Sequence, residues 1–102
     1  MITENKKIEG DCEVTEDLQL NGMITGNAIV KTGVTFNLNG TVAQDLIVES
    51  GGVAIVNGTV NGNVSNLGGT LRIYGIVNGS VDNVNGKTYV DPKAIIKGNR
   101  TA

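Results

Sequence analysis

The sequence predicts an all-β fold: a single-stranded parallel β-helix (solenoid) of about five to six coils, each about 17 to 18 residues long, in a single domain over residues 1–102. Three observations predict it. Four segments align at a fixed period: "NGMITGNAIV" from Asn21, "NGTVAQDLIV" from Asn39, "NGTVNGNVSN" from Asn57 and "YGIVNGSVDN" from Tyr74, with starts 18, 18 and 17 residues apart. Within each segment alternate residues are apolar, as in a strand with one buried face. The same apolar types recur a full repeat later. An antiparallel meander has no reason to do that, whereas a coiled chain lays each turn in parallel about 4.8 Å above the last.

The elements follow in order. A faint first copy, "IEGDCEV", sets Gly10 against Gly26 and Cys12 beneath Ala28, so the core coils are expected over about residues 8–98 with short polar ends. Each later coil opens on two inward columns, Leu18, Phe36, Ala54, Leu71 and then Leu20, Leu38, Val56, Ile73; Ala94 and Ile96 extend this pair at the end of the chain. An Asn-Gly corner comes next: Asn21-Gly22, Asn39-Gly40, Asn57-Gly58 and, in the fourth copy, Gly75 after Tyr74, with Gly98 in the place of Gly22. Asn-Gly is the strongest short hairpin signal, but hairpins at both Asn57 and Asn61 would leave only Thr59 and Val60 between them. The pairs therefore read as stacked corners, with Asn amides bonded up the column and glycines sparing the corner a Cβ clash. Beyond the corner stand the columns Ile24, Val42, Val60, Val77 and Ala28, Leu46, Val64, Val81. The hand of the coil stays open: Ile24, Val30, Phe36, Val42, Val48, Ala54 and Val60 recur every six residues, which suits a left-handed coil, but Asn66 takes the next place.

Composition narrows the function. The 102 residues include no His, one Cys and one Pro, and only 3% are aromatic. Without His, Ser-His-Asp and Cys-His catalysis and His-based metal sites are excluded, and no long loop is expected to form a pocket. We expect no enzyme, no cofactor, no metal and no small-molecule substrate. Eight scattered basic residues and a net charge of −2 do not supply the clustered cations that nucleic acid requires. No apolar run approaches the roughly 20 residues of a transmembrane span, and "MITENKK" lacks the apolar centre of a signal peptide; the expected location is cytoplasmic.

Candidate interaction sites are of three kinds. Open strand edges invite pairing, so the ends are candidates for stacking, through Ile8 and Cys12 at one end and Ile95 and Ile96 at the other; alternatively "MITENKK" and "KGNRTA" fold over them as charged covers. Ile29, Ile47, Val53 and Ile55 fall out of phase with the inward residues, forming either an outer apolar patch or a local bulge that turns some of them in. Glu9, Asp11 and Glu13 alternate with inward Gly10, Cys12 and Val14; they make either a docking face for a basic partner or a solvated negative face.

"IEGD" near the start and the repeated Gly-x-Val-x-Gly-x-Val of "GTVNGNV" and "GIVNGSV" resemble a bactofilin domain over about residues 8 to 98. The resemblance implies a right-handed β-helix whose copies stack end to end into nonpolar filaments without nucleotide, serving as bacterial scaffolds. The chain departs from it in lacking long flexible tails and in placing Gln44 where Gly26, Gly62 and Gly79 stand in other coils. The expected function is a non-enzymatic bacterial scaffold protein that self-associates. The alternative is a small interaction protein with one specific partner, such as an immunity protein neutralising a bacterial toxin.

Overall fold

Side-chain alternation and the fixed repeat act together along the whole chain. The computed structural model describes residues 2–101. Coil one holds β1 (Ile2–Glu4), β2 (Lys7–Ile8) and β3 (Cys12–Val14); coil two holds β4 (Leu18–Leu20), β5 (Met23–Ile24) and β6 (Ala28–Val30). Coil three holds β7 (Thr35–Leu38), β8 (Thr41–Val42) and β9 (Leu46–Val48). Coil four begins with β10 (Val53–Val56) and β11 (Thr59–Val60). There β12 (Val64–Ile73) runs on into coil five, followed by β13 (Ile76–Val77); β14 (Val81–Val90) runs on into coil six, which closes with β15 (Ile95–Ile96) and β16 (Arg100–Thr101).

Every pairing between these strands is parallel, and each joins a strand to its counterpart one coil away. Three walls result. The first stacks β1, β4, β7, β10 and the second halves of β12 and β14. The second stacks β2, β5, β8, β11, β13 and β15. The third stacks β3, β6, β9, the first halves of β12 and β14, and β16. The chain is thus an all-β solenoid of six coils.

In-register parallel strands keep side chains of one column on one side, so the columns become the core. Leu18–Phe36–Ala54–Leu71 and Leu20–Leu38–Val56–Ile73 line the first wall. Ile8–Ile24–Val42–Val60–Val77 lines the second, and Cys12–Ala28–Leu46–Val64–Val81 the third. Nearly all these residues are fully buried. At about 25 cal/mol per Å² of apolar area, this one shared core is the main stabilising term. It needs few aromatics because Phe36, stacked over Ala54, fills a space that two larger side chains would overfill.

The structure corrects the ends. The first coil starts at Ile2, not near residue 8: Ile2, Thr3 and Glu4 pair with Leu18, Gln19 and Leu20. The "MITENKK" segment is therefore a strand-bearing course of the wall and not a cover, with Met1 outside the described residues. At the other end Thr88 and Val90, not Ala94 and Ile96, continue the Leu71 and Ile73 columns, while Ile96 falls on Val77. Gly98 donates its N–H to Gly79 O at 2.9 Å, so it belongs to the Gly62–Gly79 corner and not to that of Gly22. Arg100 and Thr101 add a strand on Val81 and Asp82, so "KGNRTA" is also wall, with Ala102 outside the described residues. Sequence alignment slips here because the last turn is longer: Asn99 bonds to Ser80 across 19 positions, against 17 or 18 in the middle of the chain.

Candidate functional site: corners, outer walls and open rims

The corners hold the coils in register. Asn21 Nδ2 donates to Asn5 Oδ1 at 2.7 Å, Asn39 Nδ2 to Asn21 Oδ1 at 3.1 Å and Asn57 Nδ2 to Asn39 Oδ1 at 3.2 Å. This is the expected amide ladder, extended one coil further down by Asn5. None of these asparagines has a positive φ, so no tight hairpin turn is formed. The adjoining glycines serve close approach: a Cβ on Gly40 would overlap Gly22 O, and the same holds for Gly58 over Gly40 and Gly75 over Gly58. Gly22 stands in the same relation to Lys6 O.

A second ladder went unread in the sequence. Asp11 Oδ1 accepts from the Asn27 N–H at 2.8 Å, Asn27 Oδ1 from Asp45 at 2.9 Å, Asp45 Oδ1 from Asn63 at 2.8 Å and Asn63 Oδ1 from Ser80 at 2.9 Å. The signal was present: an Asp or Asn immediately precedes Cys12, Ala28, Leu46 and Val64. Such side chains satisfy backbone donors at corners where the strand ladder lapses.

This ladder changes the reading of the acidic residues. Asp11 is engaged within the wall. Glu13 lies 3.3 Å from Lys31 Nζ, which also lies 3.2 Å from Glu49, and exposed Glu9 sits 3.5 Å from Lys7. Glu9, Asp11 and Glu13 all stay exposed on the outer wall, each with a partner within the chain. The hydrogen bond to Glu49, then that to Glu13, raises the Lys31 pKa above its ordinary value.

The proposed lateral patch divides. Ile29 stacks on Ile47 on the third wall, both half-buried. Val53 and Ile55 lie on the first wall, between Thr35 and Asn37 on one side and Thr70 and Arg72 on the other. The four do not form one column, because residues 49–52 turn a corner between them.

The polar residue Asn66 is fully buried, in the column above Val48. Its Nδ2 donates to Gly69 O at 3.2 Å, Lys87 O at 3.0 Å and Thr88 Oγ1 at 3.1 Å, and its Oδ1 accepts from Gly69 N–H at 2.8 Å. It thereby ties together the bend in β12 and β14, where the register shifts and Val84 is left out of the pairing.

The rims remain. The strands β1, β2 and β3 each pair on one side only, as do the second half of β14, β15 and β16; among the described residues no further strand pairs with either rim. At the first rim Ile8 and Cys12 are partly buried against the core, and Ile2, in the Leu18 column, is 48% exposed. Partial burial pushes the Cys12 thiol pKa up. At the second rim Val90, Ala94 and Ile96 are partly buried. Ile95 lies on the rim strand β15 with its side chain outward, in the outer column above Ile76, and is 51% exposed on the second wall.

Among the described residues no group of three or more His, Cys, Asp or Glu side chains is placed to hold a metal ion, and no helix is long and apolar enough to cross a membrane. Fold and surface together define a β-solenoid with two open strand rims. No protein-family model, curated protein or solved structure matches the chain.

Proposed function

We propose that this chain is a non-enzymatic structural protein that associates with itself through the rims of its solenoid. The observation that carries the reading is the pair of open rims, each a ring of short strands whose outer hydrogen-bonding edge has no partner strand among the described residues, around a partly exposed apolar centre. Such edges template pairing with another chain. The bactofilin-like Gly-x-Val-x-Gly-x-Val motif points the same way. A protein that engages one specific partner, such as a toxin, is the second reading, favoured by the stacked and half-buried Ile29 and Ile47 on the third wall. Light scattering across a concentration series, with electron microscopy of the same samples, tests the proposal. The expected result is a mass that climbs with concentration and end-to-end particles; a constant monomer mass with no such particles would reject it.

A further inference from the structure

We infer that copies of this chain stack head to tail, the first rim of one seated on the second rim of the next as a seventh coil would be. The inference rests on the self-association reading and adds its direction, a polar one, which departs from the nonpolar stacking that the bactofilin resemblance implies. Three features of the rims carry it.

The first is strand direction. Every pairing within the chain is parallel, and only head-to-tail stacking continues that pattern across a junction. It would set β1 on Lys87–Val90, β2 on β15 and β3 on β16, wall for wall. Head-to-head or tail-to-tail stacking reverses one set of strands, and the side-chain columns no longer align.

Charge is the second. Coil one carries Glu4, Glu9, Asp11, Glu13, Glu16 and Asp17 against Lys6 and Lys7. Coil six carries Lys87, Lys93, Lys97 and Arg100 against Asp91. One end of the solenoid is acidic and the other basic, so like ends repel and unlike ends attract.

Third, each rim holds a charged residue in an inward column. Glu4, half-buried and accepting from the Lys6 N–H at 3.1 Å, shares the column of the buried Leu20, and Arg100, itself exposed on the rim, that of the buried Val81. An inward charge on an edge strand ordinarily blocks pairing. Here the two blocks are opposite in sign. In a head-to-tail junction Glu4 and Arg100 enter the same interior layer from two walls; in a like-end junction each meets its own kind. Because a head-to-tail contact is heterologous, it leaves a free rim at both ends and builds open filaments unless the rotation closes.

The test is a charge-swap series, E4R, R100E and the double variant, each checked for a wild-type circular dichroism spectrum and followed by light scattering. Each single variant places like charges in the junction and is expected to raise the concentration of half-association about tenfold or more. The double variant restores association, and so does mixing the two single variants, since each then offers the other an unlike end. Single variants that associate as wild type does, or a mixture that restores nothing while wild type associates, would overturn the direction and leave self-association standing. Wild type that stays monomeric rejects self-association and the direction with it. Should a single variant misfold, wild type in about 1 M salt decides: with the Debye length near 3 Å, association is expected to weaken, and unchanged or stronger association overturns the charge match.

Discussion

Single side chains in this protein act on the coil below them more than on their sequence neighbours. Gly40 shows it most sharply, since a methyl there would overlap the carbonyl oxygen of Gly22. Gly40→Ala is expected to destabilise the fold by about 1 to 3 kcal/mol, the range for overpacking a close contact; a urea midpoint within error of wild type would contradict the close-approach account. Lys31 supplies a pH dependence. Its pKa is raised in the folded chain by Glu49 and Glu13, so its contribution is fully present below the unfolded value and is lost as pH rises through the folded one. Comparing wild type with Lys31→Met by urea denaturation, the stability gap is expected to be largest near neutral pH and to shrink above about pH 10.4. Asn66 makes a third case. Truncation to Ala would strand the Gly69 N–H that its Oδ1 now satisfies and remove three donated bonds. A loss of about 2 to 3 kcal/mol is expected in the same assay.

Among the elements, the middle of the solenoid was legible and its ends were not. The columns through Leu20, Ile24 and Ala28 recur with unbroken type over four coils, and the structure pairs them as read. At the rims, Glu4 and Arg100 occupy inward places where the pattern demands an apolar residue, and the turn length drifts, so the alternation fades just where the coils end. The lateral residues divide for another reason. Alternation within each strand sets Ile29, Ile47, Val53 and Ile55 outward, as they are, but it does not register the corner at residues 49–52 that puts Val53 and Ile55 on a different wall from Ile29 and Ile47. The ladder from Asp11 to Asn63 was visible as spacing but not as chemistry, because its acceptors bind backbone donors that only the fold brings near. Outer positions give a direct check on the stacking: Thr41 and Thr59 are register partners, so spin labels on cysteines placed there, in a chain with Cys12→Ala, are expected to show strong dipolar broadening. Labels on neighbouring strands sit about 5 Å apart at the backbone; spectra equal to the sum of the single labels would refute the pairing.

At the scale of the whole molecule, each coil touches only its neighbours, so stability is close to a sum of coil and interface contributions. Removal of residues 36–53 joins Thr35 to Ala54, and since Thr35 and Phe36 are the register partners of Val53 and Ala54, every remaining column stays in phase. The shortened protein is expected to fold to an all-β circular dichroism spectrum with a lower urea midpoint. Deletion of half that length breaks the columns and is expected to give no cooperative transition. Equal behaviour of the two deletions would show that the columns do not govern folding.

The stacked corner glycines have one more consequence. They fix how closely two turns approach, yet nothing in them fixes how many turns there are. In such an architecture size is a free variable: duplication of a single course lengthens the gene without redesigning the protein, and tall and short versions would share one building rule.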